Sequence, residues 1–187
     1  MKVRFSAAAI AAGMLMTGGA SAQVFVIGTG LGAECYNKTQ TAHSSFTEAE
    51  KTCSRALREE AMTANNRAAT FVNRGVMRMR DGRYEEAIAD YASAKRLKPD
   101  LAEAYLNEGA ALIYQRQFAE AIEPLETSLE LEVKEAFAAH YNRAIARENS
   151  GDVAGAYADF KRALELRPGW ELAETQLSRF EVRTSGG

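Results

Sequence analysis

Laid against itself at a fixed offset, the middle of this chain repeats. Asn73-Arg74-Gly75, Asn107-Glu108-Gly109 and Asn142-Arg143-Ala144 recur at spacings of 34 and 35 residues. Tyr84, Phe118 and Val153 keep the same spacing, as do Ala87, Ala121 and Ala156, and Pro99 and Pro168 lie two periods apart. A period of this length builds stacked helix pairs: one unit cannot bury its own apolar face and is covered by its neighbours.

Inside a unit the apolar residues follow the 3.6-residue helical period, as in Ala87, Ile88, Tyr91, Ala94 and Leu97. Polar breaks containing glycine, Asp81-Gly82-Arg83 and Asn149-Ser150-Gly151-Asp152, divide each unit into helix, tight turn and helix. Only three prolines interrupt a chain dominated by Ala, Glu, Arg and Leu, which suits an all-helical protein. Gly75, Gly109 and Ala144 fall in mid-helix, where glycine costs about 1 kcal/mol relative to alanine. Close approach of a neighbouring helix is the expected compensation.

These residues resemble the tetratricopeptide repeat (TPR), whose pattern sets large apolar residues at positions 4, 17 and 24, small ones at 8, 20 and 27, a turn near 15 and Pro at 32. Unit 68–101 supplies Phe71, Gly75, Gly82, Tyr84, Ala87, Tyr91, Ala94 and Pro99. Unit 102–136 supplies Tyr105, Gly109, Phe118, Ala121, Leu125 and Ser128, with Val133 in place of the terminal proline and one residue extra. Unit 137–170 supplies His140, Ala144, Gly151, Ala156, Phe160, Ala163 and Pro168. Residues 31–67 read as a degenerate leading helix pair in which Phe46, Ala49, Cys53 and Ala56 keep the spacing of the second helix, and Ser45 with Glu48 forms a capping box. Residues 171–183 read as a capping helix and 184–187 as a disordered tail. The fold expected is an all-α solenoid of antiparallel helix pairs.

The first 22 residues are set apart from that fold. Lys2 and Arg4 precede an uncharged stretch from Phe5 to Met16, and the small residues Ala20-Ser21-Ala22 follow. This is the pattern of a secretory signal peptide cut between Ala22 and Gln23, placing the protein in the periplasm or outside the cell. The stretch falls short of the roughly 20 apolar residues of a spanning helix, although an uncleaved anchor is the alternative. Residues 23–30 then read as a flexible arm. The whole chain carries a formal charge of −2, and loss of Lys2 and Arg4 makes it more negative; such a balance gives no electrostatic footprint for nucleic acid.

Cys35 and Cys53 are the only cysteines. An even count in an exported chain favours a disulfide, stabilising by about 3 kcal/mol on the chain-entropy model. A metal site of Cys35, His43 and Cys53 is the rival, although the spacing matches no common zinc motif. No cofactor is expected. Two histidines, His43 and His140, and no recurring Ser, Asp or Lys grouping leave no acid/base pair or catalytic triad, so an enzyme is not expected. Gly28-Thr29-Gly30-Leu31-Gly32 has the wrong glycine spacing and context for a nucleotide-binding loop. The arginines at 67, 74, 78, 80 and 83 read as a solvated helix face with acidic partners nearby.

The resemblance implies a concave groove lined by the first helix of each repeat. Its positions carry Ala69, Val72, Val76, Met79 and Arg80, then Glu103, Leu106, Ala110, Ile113 and Tyr114, then Ala138, Tyr141, Ile145, Glu148 and Asn149. Asn73, Asn107 and Asn142 share position 6, where a side-chain amide either bonds the backbone of an extended peptide or serves packing between repeats. TPR domains that grip a C-terminal carboxylate need Lys, Asn, Asn, Lys and Arg at positions held here by Val72, Val76, Asn107, Ala138 and Asn142, so a carboxylate clamp is not expected. An apolar groove suits an amphipathic helix or an extended apolar segment. The expected role is protein–protein interaction, as adaptor, scaffold or chaperone-like factor. The alternatives are a self-associating envelope component whose groove is filled by its own N-terminal arm or a second copy, and a small-molecule or metal binder at the leading pair.

Overall fold

The computed structural model describes residues 3–7, 21–40 and 45–184. The described residues hold an all-α solenoid. Its helices are α1 (Leu31–Gln40), α2 (Phe46–Glu59), α3 (Ala64–Arg80), α4 (Tyr84–Leu97), α5 (Ala102–Tyr114), α6 (Phe118–Glu130), α7 (Ala136–Asn149), α8 (Val153–Leu166) and α9 (Glu171–Leu177). Each helix packs on the next, and α1, α3, α5 and α7 also touch in succession, forming an inner row backed by α2, α4, α6 and α8.

Small residues set how closely the two rows approach. A Cβ on Gly75 would lie 2.5 Å from the ring of fully buried Tyr91, and one on Gly109 would lie 2.5 Å from Leu125. The expected close approach is therefore present: α4 and α6 each press a large side chain into the notch. The inter-helix turns share one hydrogen-bond scheme. Arg83, Gln117 and Asp152 each donate their N–H to a carbonyl five residues back, at Arg78, Leu112 and Arg147, all at 2.9 Å. Such a turn needs one left-handed residue. Gly82 (φ 79°) and Gly151 (φ 92°) supply it in the first and third units, whereas Arg116 (φ 63°) supplies it in the second.

Buried ions tie the pairs together. Asp90, 2 % exposed, accepts bonds from Arg74 Nε at 3.0 Å and Nη2 at 2.6 Å, and from Arg78 at 3.0 Å. Two periods on, Asp159 accepts from Arg143 Nε at 2.8 Å and Nη2 at 2.7 Å, from Arg147 at 2.8 Å, and meets His140 Nδ1 at 2.8 Å. Burial alone would raise the Asp159 pKa, but His140, Arg143 and Arg147 hold it below the ordinary carboxylate value. The equivalent place in the middle unit is Pro124, inside α6, and its arginine positions are Glu108 and Leu112. Glu108 pairs with Lys95 instead. Within the arginine run Arg74, Arg78 and Arg83 have acidic partners, whereas Arg80 donates to the Thr39 carbonyl, and Arg74 and Arg78 are largely enclosed rather than solvated.

Several expectations are corrected. The C-terminal helix stops at Leu177, and Phe180–Thr184 forms strand β2, paired antiparallel with strand β1 (Val3–Ala7). Phe180-Glu181-Val182-Arg183-Thr184 alternates apolar and polar residues and ends β-branched, a strand pattern that the short helix cannot extend into. Residues 3–7 belong to the segment read as a leader, and in the full-length chain they pair with β2. The arm is no loose segment, since residues 22–27 lie against the inner row. Ser45 stands at the N-cap of α2 without a side-chain capping bond, and Glu48 instead holds Lys38. The tail residues 185–187 and His43 lie outside the described residues.

Candidate functional site: a groove holding a main chain

The groove is built from inner-row helices, and its polar floor is a line of asparagine amides. Asn73 on α3 and Asn107 on α5 are fully buried, and Asn142 on α7 is 2 % exposed. Each sits among apolar neighbours: Val72, Val76 and Met79 beside the first, Leu106, Ala110 and Ile113 beside the second, all buried. Tyr114 stacks on Tyr84 at 5.3 Å, and Ile145 packs between the last two apolar clusters. Tyr141 lies 4.7 Å from Trp170 and 5.4 Å from Phe160, centroid to centroid, closing the far end.

The amides are occupied by the chain's own arm. Ala22 N–H donates to Asn107 Oδ1 at 3.0 Å, and Asn107 Nδ2 donates to the Ala22 carbonyl at 2.6 Å. Val24 N–H donates to Asn73 Oδ1 at 2.9 Å, and Asn73 Nδ2 donates to the Val24 carbonyl at 2.8 Å. Each amide thereby satisfies both main-chain groups of one residue, which a carboxamide can do because it carries a donor and an acceptor side by side. A third such clamp joins Ile27 to Asn66, with N–H to Oδ1 at 3.3 Å and Nδ2 to carbonyl at 2.6 Å. Between the first two clamps the arm advances two residues for one repeat.

Side chains of the arm alternate. Ala22 and Val26 are 3 % exposed and Val24 packs into the first apolar cluster, whereas Phe25 and Ile27 are 64 % and 74 % exposed. That two-residue period is the signature of an extended chain with one face in the groove. Gln23 Nε2 donates to the Thr39 carbonyl at 3.0 Å, Gln40 donates to the Gln23 side chain at 2.6 Å, and the Phe25 ring meets Tyr36 edge-on at 5.2 Å. Only Gly28-Thr29-Gly30 separate this segment from α1, so it folds back on the helices that follow it.

Among the residues read from sequence, Asn73 and Asn107 come together with a bound main chain. Asn142 holds the third place in the row, and its Nδ2 has no hydrogen-bond partner. Asn66 was not anticipated, although it lies two helical turns before Asn73 on the same face of α3, a spacing that could have revealed it. The Gly28–Gly32 segment offers its Gly32 N–H to Glu60 Oε2 at 2.7 Å, so a carboxylate already sits where an anion would have to bind. The Cα atoms of Cys35 and Cys53 are 4.7 Å apart with both side chains buried and the sulfurs at bonding distance. No group of His, Cys, Asp and Glu able to hold a metal occurs among the described residues, and none of their helices is long and apolar enough to cross a membrane.

Helix pairs stacked with one row facing inward are the architecture of the helical-repeat solenoids, whose concave faces form extended binding surfaces. Two family profiles match this chain, one described as TPR repeat over residues 75–115 and one as Tetratricopeptide repeat over 106–169. The chain is a tetratricopeptide-repeat protein. Solved structures similar to it include the second TPR domain of human RPAP3 in complex with the HSP70 peptide SGPTIEEVD, at 27 % identity and TM-score 0.58, covering 62 % of this chain and 96 % of that one. The first TPR of Spaghetti (RPAP3), bound to the HSP90 peptide SRMEEVD, is similar at 24 % identity and TM-score 0.59, covering 62 % and 90 %. MamA is similar at 21 % identity and TM-score 0.65, covering 81 % and 82 %. No curated protein matches the chain.

Proposed function

We propose that this protein is an exported interaction module that holds an extended polypeptide by its main chain in the concave groove, acting as an adaptor, scaffold or chaperone-like factor. The observation that carries the reading is the pair of two-bond clamps, Asn73 on residue 24 and Asn107 on residue 22. Clamps on the backbone accept many sequences, and buried apolar neighbours then select for shape. The peptide-bound RPAP3 domains support a binding role on this fold. Their acidic peptides do not transfer, because Val72, Ala138 and Asn142 stand where a cationic grip would be. Binding rather than catalysis is the role that the family supports. The leader is cut between Ala22 and Gln23, the protein works in the periplasm or outside the cell, and Cys35 and Cys53 form a disulfide there.

A second reading is favoured by one observation: the groove is already filled by residues 22–27, so its amides would serve only to hold the protein's own arm. Photo-crosslinking in the cell envelope separates the two, with wild type compared against Asn107→Ala plus Tyr141→Ala. Specific partners that disappear with a folded double variant support the module. Partners that persist, or recovery of this chain alone, overturn it.

A further inference from the structure

We propose that cleavage after Ala22 turns the groove into a half-filled channel, whose open part, at Asn107 and Asn142, receives an extended segment of a partner protein bearing a small side chain at the Asn107 position. This rests on the main-chain groove reading and on the cut site given above.

Residues 23–27 keep their own anchors after the cut. Val24 stays clamped by Asn73, Ile27 by Asn66 and Gln23 by Thr39 and Gln40, while Val26 remains buried. None of these contacts involves a residue before Gln23. The Asn107 clamp, by contrast, grips Ala22 alone, the residue that leaves. Both of its amide bonds then lose their partner in a site that is fully buried when occupied, and a buried amide without partners is costly.

Asn142 adds the second observation. Its Nδ2 is unpartnered even with Ala22 in place, and the residue is 2 % exposed. Asn142 follows Asn107 by 35 residues as Asn107 follows Asn73 by 34, so a strand keeping the two-residue advance per repeat presents a carbonyl there. The seat at Asn107 sets the side chain. Ala22 is 3 % exposed within the cluster that holds Leu106, Ile113 and Ala138, an enclosed apolar seat that suits a small side chain. The occupant is therefore an extended segment with a small residue at one position and main-chain groups at both.

The test is a side-chain amide NMR titration. It compares the chain recovered after export, its N-terminus read by mass spectrometry, with the full 187-residue chain. The probe is a peptide with the sequence of residues 15–22. The expected result is that the Asn107 and Asn142 amide resonances of the exported chain shift on titration and those of Asn66 and Asn73 do not. The full chain shows at least ten-fold weaker binding, and a Trp in place of the last Ala of the peptide weakens it at least ten-fold. An exported chain that still carries Ala22 overturns the proposal, as do equal shifts in both chains. Movement of Asn66 and Asn73 instead means that the peptide displaces the arm: the half-filled channel is then wrong while the main-chain groove stands. If no groove resonance moves in either folded chain, the groove reading fails as well.

Discussion

At single residues, backbone geometry and packing give opposite predictions for two substitutions that look alike. Arg116 holds a left-handed conformation (φ 63°) where the other two units use glycine, and a side chain there costs roughly 1 kcal/mol or more. Arg116→Gly is expected to stabilise the protein by about 1 kcal/mol, read as a higher urea midpoint at unchanged slope. Gly75→Ala goes the other way. Helix propensity would gain about 1 kcal/mol, but the new methyl would lie 2.5 Å from the Tyr91 ring, and overpacking of this kind costs about 1–3 kcal/mol. A net loss of stability is expected in the same denaturation experiment; an unchanged or raised midpoint would show that Tyr91 can move aside. The Gly75 notch was readable beforehand because an unfavourable residue recurred at one repeat position. Arg116 was not, since a turn that lacks its usual glycine leaves no mark in the apolar pattern.

Between helices, the carboxylates enclosed by arginine dictate the response to acid. Glu50 on α2, paired with Arg78 and Arg83, and Asp159 both have lowered pKa values: burial pushes each up, and those arginines for Glu50, and His140, Arg143 and Arg147 for Asp159, outweigh it. A carboxylate depressed on folding contributes stability above its unfolded pKa, and that contribution is lost as pH falls through the folded value. The melting temperature should therefore hold steady from neutral pH down to about 5 and fall steeply below about 4, with a smaller acid-induced fall in Asp159→Asn. A flat profile to pH 3 would mean that these ion pairs add nothing. The helices themselves were legible from their 3.6-residue period. The ion network was not, although Arg74, Arg78 and Asp90 recur as Arg143, Arg147 and Asp159 two periods later; the middle unit, with Glu108, Leu112 and Pro124, hides the repetition. The end of the last helix was missed for a different reason. Leu177 and Phe180 fit a helical face, which masks the two-residue alternation of Phe180–Thr184, and the pairing with residues 3–7, far away in sequence, decides for the strand.

Across the whole molecule, a solenoid has neighbours on two sides only, so a defect at one end stays near that end. Reduction of Cys35 and Cys53 should release the first helix pair and with it the arm, because Gln23, Phe25 and Val26 lean on Thr39, Tyr36 and Gly32. Hydrogen exchange is expected to accelerate at least ten-fold through α1, α2 and residues 22–27, with α5 to α8 little changed. Uniform acceleration would show that the stack opens as one unit. The groove was foreseen from repeat positions, and the arm as its tenant only as the alternative reading. Nothing in the arm's composition announces that it binds, since the amides grip a backbone that every residue shares.

That indifference sets how partners are to be sought. With Ala22, Val24 and Val26 turned inward and Phe25 and Ile27 turned out, the groove reads every second letter of whatever lies in it. A recognition motif for this protein would be a short gapped pattern, small or aliphatic at alternate places and free between them. Such a pattern carries little information, so many unrelated chains would satisfy it, and selectivity would have to come from which of them share its compartment and expose such a stretch unfolded.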